Sequence, residues 1–333
     1  MSDRAPLFTV IMPGFNAAPT VESAIRAIAA QTTSDWELIV IDDGSSDDTV
    51  ARVQASKVDL PANRLRLVKH TVNRGVAAAR NTGLTWATGD FVVFVDSDDI
   101  ALPNYLADLH GAFESDIDVV IGGREVRSGA DLIGTAASRS IGTFDSQDAV
   151  RLAMLDRLTP FPWDKMFRRT LFDSVRFPEG IARFEDMVTN IALYARARRV
   201  RSISTPVYRY QITTASLTWG RVPLASESTA ALASLTPHLP KTYRQGRFRR
   251  PYRAMRMLMT LLVAQAAISR DRGSGSSATV VRECRASISM ADVLSAITVA
   301  PRVGGAGALL KAAPRAYAAV YLRHIAKTYN IPN

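Results

Sequence analysis

The chain has 333 residues, 47% of them hydrophobic and 22% charged. That length suits two domains, and that composition excludes wholesale disorder, collagen-like repeats and a disulfide scaffold. The net charge of +10 is uneven: Lys241 onward carries 16 basic and 3 acidic residues, net +13, and the remainder is −3.

Cys284 is the one cysteine and can form no internal disulfide, which fits a reducing compartment such as the cytoplasm. Asp3 stands where a secretory signal would be basic, so no signal peptide is expected. No apolar run reaches the roughly 18 residues of a membrane span. The best candidate, residues 257–268, is short and contains Gln265.

In chain order, Phe8–Met12 reads as a strand ended by Pro13-Gly14. Val21 to Gln31 has the 3–4 spacing of a helix. Glu37–Ile41 is a second strand, and Asp47 or Asp48 can cap a helix running to Lys57. Leu65–Val68, Phe91–Val95 and Val119–Ile121 read as further strands; Val76–Ala87 and Leu102–Phe113 read as helices. Repeated β-α units predict a mostly parallel sheet covered on both faces. Residues 129–142 read as a loop or hairpin, Gln147–Leu158 as a helix and 161–163 as a Pro-broken aromatic segment. Met187–Arg198 reads as a strong helix. Beyond Leu224 the pattern is helical, with a flexible connector at 273–277 and a last helix, 308–328, interrupted at Pro314. The expected domains are an α/β unit, 1–222, with halves 1–122 and 123–222, and a basic helical unit, 223–333.

The strongest local signal is Asp96-Ser97-Asp98-Asp99, where a buried strand ends. Two carboxylates about 4 Å apart repel by roughly 4 kcal/mol at an effective dielectric of about 20. A divalent cation bridging to phosphate offsets that repulsion, and Mg²⁺ and Mn²⁺ favour such oxygen donors. Alone, the cluster is equally a solvated turn capping the next helix. It is not alone. The second strand ends in Asp42-Asp43-Gly44-Ser45, where Asp43 can accept from a base or a ribose. The first ends in Pro13-Gly14-Phe15-Asn16, where Phe15 can pack on a flat ring.

Four motifs in this order make the chain resemble family 2 glycosyltransferases of the GT-A fold, a Rossmann-like, mostly parallel sheet with flanking helices. They are 13–16, 42–45 with Asp48-Thr49, Asn73-Arg74-Gly75 with Ala79-Arg80-Asn81, and 96–99. The resemblance covers residues 8–122, continues loosely to Trp219, and omits the helical tail. It implies a nucleotide-sugar site formed by Pro13, Phe15, Asn16, Asp43, Asn73, Gly75, Arg80, Asn81, Asp96 and Ser97. It also implies a Mn²⁺ or Mg²⁺ on Asp96 and Asp98, or on Asp99 instead. Arg80 has a surface ion pair as its competing reading.

The same resemblance implies Asp186 as the catalytic base, with Glu185 supporting it or binding acceptor hydroxyls; the competing reading is a helix cap. Trp163-Asp164-Lys165 is similar to a family Trp-Asn-Lys segment, with Asp164 in place of Asn. Trp163 would stack on a sugar face or be core, and Lys165 would meet phosphate or the Glu185–Asp186 pair. Tyr208-Arg209-Tyr210, with Ser216, resembles a segment closing the site, or is a plain edge strand. The four histidines show no ligand spacing, and Cys284 reads as packing.

The implied activity is metal-dependent, inverting transfer of one sugar from a nucleotide-sugar, a UDP-sugar first, to a cell-envelope glycan, anionic polymer or lipid-linked acceptor. Processive relatives carry Gln-x-x-Arg-Trp and membrane helices; this sequence has neither. The alternatives are a sugar-phosphate nucleotidyltransferase, which would want a Gly-rich loop after the first strand, and a silent GT-A-fold binding protein. A nicotinamide dehydrogenase fails for lack of G-x-G-x-x-G. The basic tail is expected on an anionic inner membrane face, on an anionic polymer, or as a merely solvated Arg-rich surface. No nucleic-acid motif is present, and the sequence leaves the oligomeric state open.

Overall fold

The computed structural model describes residues 5–58, 60–61, 63–129, 131–211, 222–270 and 275–329. Two compact units result: Met1–Ala153 with Arg157–Ile212, and Met154–Asp156 with Thr213–Asn333.

The first unit is built on a mixed sheet. Its first strands are β1 (Phe8–Gly14), β2 (Trp36–Asp42), β3 (Leu65–Lys69) and β4 (Phe91–Phe94). They pair in parallel in the order β3-β2-β1-β4. Val10–Met12, Leu38–Ile41 and Val92–Val95 are fully buried, as a parallel sheet covered by helices requires. Helices α1 (Val21–Ala29), α2 (Thr49–Ser56) and α3 (Val76–Trp86) connect them. α1 buries Val21, Ala24, Ile25 and Ile28, the four residues of its apolar spacing. α3 lies so close to the sheet that a Cβ on Gly83 would collide with Ile11. Register brings Gly14 beside Asp42 and Ile11 beside Phe94, so the chains leaving β1, β2 and β4 emerge at one edge.

The other strands break the parallel pattern. After β4 come β5 (Ile100–Ala101), α4 (Tyr105–Gly111), β6 (Ile117–Ser128), β7 (Asp131–Ala136), β8 (Gly142–Asp145) and α5 (Ser146–Met154). Then follow β9 (Lys165–Arg168), α6 (Glu185–Tyr194) and β10 (Arg199–Gln211). β9 enters antiparallel between β4 and β6. The 129–142 segment takes the hairpin alternative, with β7 antiparallel to β6. β6 is far longer than the three residues its apolar run announced. β10 runs parallel to β6 and antiparallel to β5 and β8. Its register shifts on both sides of Pro206, which has no N–H to give the ladder.

The second unit contains α7 (Glu227–Leu235), α8 (Arg249–Arg270), α9 (Gly275–Ser287), α10 (Met290–Val299), α11 (Pro301–Ala312) and α12 (Pro314–Tyr329). The break expected at Pro314 is the junction of α11 and α12. Gly307 lets α11 close onto Met257 of α8, and Gly304 lets it close onto Ile297 of α10. Ser289 and Asp292 form a capping box that starts α10. Cys284 is buried. Among the described residues, no helix is long and apolar enough to cross a membrane. Residues 273–274 of the expected connector, Ser216 and Trp219 lie outside the described residues.

Candidate active site

The carboxyl edge of β1, β2 and β4 gathers most of the sequence-predicted donor residues. Phe15 and Asn16 are exposed after β1. Pro13 is buried within β1, so it shapes the exit of the chain. Asn16, at φ 50°, donates its N–H to Ser45 Oγ at 2.9 Å and accepts the Ser46 N–H on Oδ1 at 2.9 Å. It therefore fixes the loop after β2.

Asp43 departs from expectation. It is buried, and its oxygens pair with His70 Nδ1 at 2.6 Å and accept the N–H groups of Arg74 and Gly75 at 3.0 and 2.7 Å. A carboxylate so enclosed braces the 73–75 loop. Gly75 (φ 89°) and Gly44 (φ 77°) occupy left-handed backbone. A Cβ on Gly44 would come within 2.7 Å of the Asn73 nitrogen. Asn73 itself is exposed. Sequence reading missed His70, which also bonds Thr82 Oγ1 at 2.9 Å. Its position one residue past β3, on the same sheet edge, was the available signal.

Asn81 is also spent internally. Its side chain donates to the Phe177 carbonyl at 2.8 Å and to Glu179 at 3.1 Å, and accepts the Phe177 N–H at 2.9 Å. It pins the 177–179 segment; it does not line the donor site.

Arg80 holds the centre. Its side chain is 3% exposed, yet it donates to Asp186 Oδ1 at 2.5 Å and to Asp96 Oδ1 at 3.2 Å. The guanidinium also lies over the Phe177 ring. It is neither a surface ion pair nor an open donor-lining group. The side chains of Asp96 and Asp186 are 28% and 22% exposed, so each keeps a face towards solvent.

Asp186 lies in the first turn of α6, directly after Phe184 in left-handed backbone at φ 69°. For a bulky residue that conformation costs roughly 1–3 kcal/mol, a strain that clusters at functional sites. The N-cap residue, Phe184, gives α6 no side-chain cap, and Glu185 and Asp186 stand in its first turn, where the helix dipole favours acids. Burial pushes the Asp186 carboxyl up to about 8, against the pull of Arg80 and with the push of Glu185 and Asp96. Burial likewise raises Glu185, against Arg80.

The 96–99 loop is braced from behind. The Asp96 N–H donates to the Tyr208 hydroxyl at 3.0 Å, and the Gln211 N–H donates to Asp99 Oδ1 at 3.0 Å. Asp99 is buried, and burial with the charges of Asp96 and Asp98 pushes it up to about 8. Asp99, expected as an alternative metal ligand, thus braces the loop through Gln211. Ser97 is buried next to Gly14. Asp98 points outward; crowding at the loop and the Asp96 charge raise its carboxyl.

Among the described residues, no three His, Cys, Asp or Glu side chains converge into a metal cage. A Mg²⁺ or Mn²⁺ needs no such cage when phosphate oxygens and waters complete its shell. Two mutually repelling carboxylates, outward Asp98 and half-exposed Asp96, suit that arrangement.

The three residues expected on the acceptor side form a wall behind the site. Trp163, Lys165 and Tyr208 are all buried. Trp163 stacks on Phe161, Tyr208 and Tyr210 with centroids 4.8, 4.6 and 5.6 Å away. Lys165 Nζ donates to Thr159 Oγ1 at 2.9 Å, the Phe161 carbonyl at 2.5 Å and Asp164 at 2.6 Å. Aromatic stacking and a buried ion pair thus shape the wall behind the site. A separate cavity of about 500 Å³, lined in part by Asp118, Arg168 and Arg198, opens at the amino end of β6 and β10, away from this edge.

The family model described as "Glycosyl transferase family 2" matches residues 9–176. The chain is 35% identical over 129 residues to the Escherichia coli UDP-Glc:alpha-D-GlcNAc-diphosphoundecaprenol beta-1,3-glucosyltransferase WfgD, covering 38% of this chain and 49% of that protein. It is 30% identical over 221 residues to the E. coli (strain K12) glycosyltransferase YibD, covering 64% of this chain and 63% of that one. The matched part thus spans from about half to under two thirds of these relatives. Among solved structures, S. aureus TarS 1–349 with UDP-GlcNAc superposes at TM-score 0.64 and 18% identity, covering 97% of this chain and 91% of that one. The Pyrobaculum calidifontis mannosyltransferase PcManGT, solved with GDP-Man and Mn²⁺, superposes at 0.53 and 20% identity, covering 99% and 89%. At such identities these neighbours show a shared GT-A fold.

Proposed function

The chain belongs to glycosyl transferase family 2, and from that premise we propose that it transfers one sugar, with inversion, from a UDP-sugar to a cell-envelope acceptor. The acceptor is a hydroxyl of a glycan, a polymer or a lipid-linked saccharide. One observation carries the reading: Arg80 ties Asp96, on the donor edge, to Asp186, at the start of α6. A stable fold does not require a buried cation that joins carboxylates 90 residues apart. A two-substrate reaction needs such a junction, because base and leaving group must be held in one geometry.

The steps follow from the residues. Phe15 offers an exposed ring to the nucleobase. The 73–75 loop, braced by Asp43 and His70, offers backbone beside it. Asp186 takes the proton from the acceptor hydroxyl while that oxygen attacks the anomeric carbon from the face opposite the diphosphate. The bond from that carbon to the diphosphate oxygen breaks, and its electron pair leaves with UDP. Asp98 and Asp96 would hold Mg²⁺ or Mn²⁺, which when bound supplies positive charge to the departing diphosphate. Glu185 keeps Asp186 basic by like-charge repulsion.

The donor and acceptor named for WfgD, and the UDP-GlcNAc in TarS, support UDP and a cell-envelope acceptor. The Mn²⁺ in PcManGT supports the metal. The reading places the protein in the cytoplasm, where nucleotide-sugars are made. A thermal-shift screen of UDP-, GDP- and dTDP-sugars with Mn²⁺ tests it. UDP-sugars should raise Tm most, as ligand binding to the native state requires, and Asp98→Ala should remove the Mn²⁺-dependent part. No shift from any nucleotide would refute the proposal.

A further inference from the structure

The 73–75 loop and the segment that leads to Asp186 are joined at the surface. Glu179 uses both carboxylate oxygens: Oε1 accepts from Asn81 Nδ2 and Oε2 accepts from the Arg74 guanidinium, each at 3.1 Å. Arg74 belongs to the loop that Asp43 holds through the N–H groups of Arg74 and Gly75. Two residues before Glu179, the Phe177 backbone donates to Asn81 at 2.9 Å and accepts from it at 2.8 Å. The Phe177 ring lies under the Arg80 guanidinium, which bonds Asp186.

Between these ties the chain turns at two left-handed positions, Gly180 (φ 75°) and Phe184 (φ 69°). Glycine adopts that backbone freely. A phenylalanine stays there only where its surroundings hold it. Arg80 holds the far end of the segment at Asp186, and Glu179 holds the near end. The Arg74 and Glu179 side chains are 49% and 45% exposed, and a pair so exposed adds little to global stability. What it adds is a direct link. Arg80 and Asn81 stand on α3, whereas Arg74 stands on the loop itself.

We propose that Glu179 is a positioning residue that couples the order of the 73–75 loop to that of residues 177–186, and so to the placing of Asp186. The coupling rests on the reading that the donor nucleotide lies beside that loop. A nucleotide that orders the loop then orders the base-bearing segment, and the effect is reciprocal.

Hydrogen–deuterium exchange of the full chain tests this without an acceptor. Glu179→Gln keeps an acceptor for Asn81 and gives up the charge that Arg74 meets; Arg74→Gln gives up the other half. In the free protein, each substitution should speed exchange by about twofold to fivefold both at 74–75 and across 177–188. The double variant should exchange no faster than either single one. With UDP and Mn²⁺, the wild type should slow at both places, and Glu179→Gln only at 74–75. The proposal is overturned if each substitution acts on its own segment alone, or if their effects add. It is also overturned if UDP protection reaches 177–188 undiminished in Glu179→Gln. Absence of UDP protection everywhere refutes the donor reading instead, and the free-protein comparison still decides the coupling.

Discussion

Arg80→Met removes the central cation and keeps an apolar stem of similar length. Asp186 and Asp96 then lose their charge-assisted partners at 2.5 and 3.2 Å. Each such bond contributes about 1.5–3 kcal/mol when buried. The carboxylates keep 22% and 28% exposure, so water recovers part of that loss. The net cost at pH 8.5 is about 3 kcal/mol, below the upper range for breaking a fully buried pair. A domain of this size loses about 2–4 °C of Tm per kcal/mol, so the drop should be roughly 6–12 °C. The sign with pH follows from linkage. Without Arg80 the Asp186 and Glu185 carboxyls, already raised by burial, lose the charge that holds them down, so the native state binds more protons and stability falls as pH rises. The deficit should therefore shrink to roughly 1 kcal/mol at pH 5, where the carboxyls are protonated. Calorimetry of both proteins at the two pH values measures it. Equal deficits at pH 5 and 8.5 would refute the ion-pair account and leave only lost packing.

Other expectations are independent. Asp186→Asn should leave UDP affinity nearly intact and lower kcat by about 10²–10⁴, read by UDP release; full activity would disqualify it as the base. Because the Asp186 carboxyl is pushed up to about 8, wild-type kcat should rise with pH and level off above that value, and a flat profile from pH 6 to 9 would contradict it. Gly83→Ala should destabilise by about 1–3 kcal/mol, since its Cβ collides with Ile11; an unchanged urea midpoint would show that α3 can shift. Burial pushes the Cys284 thiol up to about 12, so iodoacetamide should label it only after denaturation.

The β-α half was legible because its signals are local. Strands apolar on both faces and helices with 3–4 spacing announce themselves residue by residue. The acids at 42–43, 96–99 and 185–186 were legible as a set. Their division of labour was not. Nothing in the sequence distinguishes an Asp that faces solvent from one that holds a loop. Asp43 and Asp99 proved to be braces, and Asp98 the outward member. Trp163, Lys165 and Tyr208 were assigned to the acceptor by motif, but Trp163 and Tyr208 are buried in a stack with Phe161 and Tyr210 and Lys165 in an ion pair with Asp164. β10 was largely missed because Arg, Ser, Thr and Pro206 imitate a loop. Its pairing with β5, β6 and β8 overrides that local preference.

The bracing of residues 96–99 by Tyr208 and Gln211 sets an order of assembly. A nascent chain that has left the ribosome only as far as residue 200 already carries Phe15, the 73–75 loop, Arg80 and the acidic loop. It lacks the hydroxyl that meets the Asp96 amide and the amide that meets Asp99. Bracing of the acidic loop is thus a late event in biogenesis, completed only when a distant strand threads into the sheet. Truncation before β10 would leave a polypeptide that contains the four diagnostic motifs and cannot hold the last of them in place.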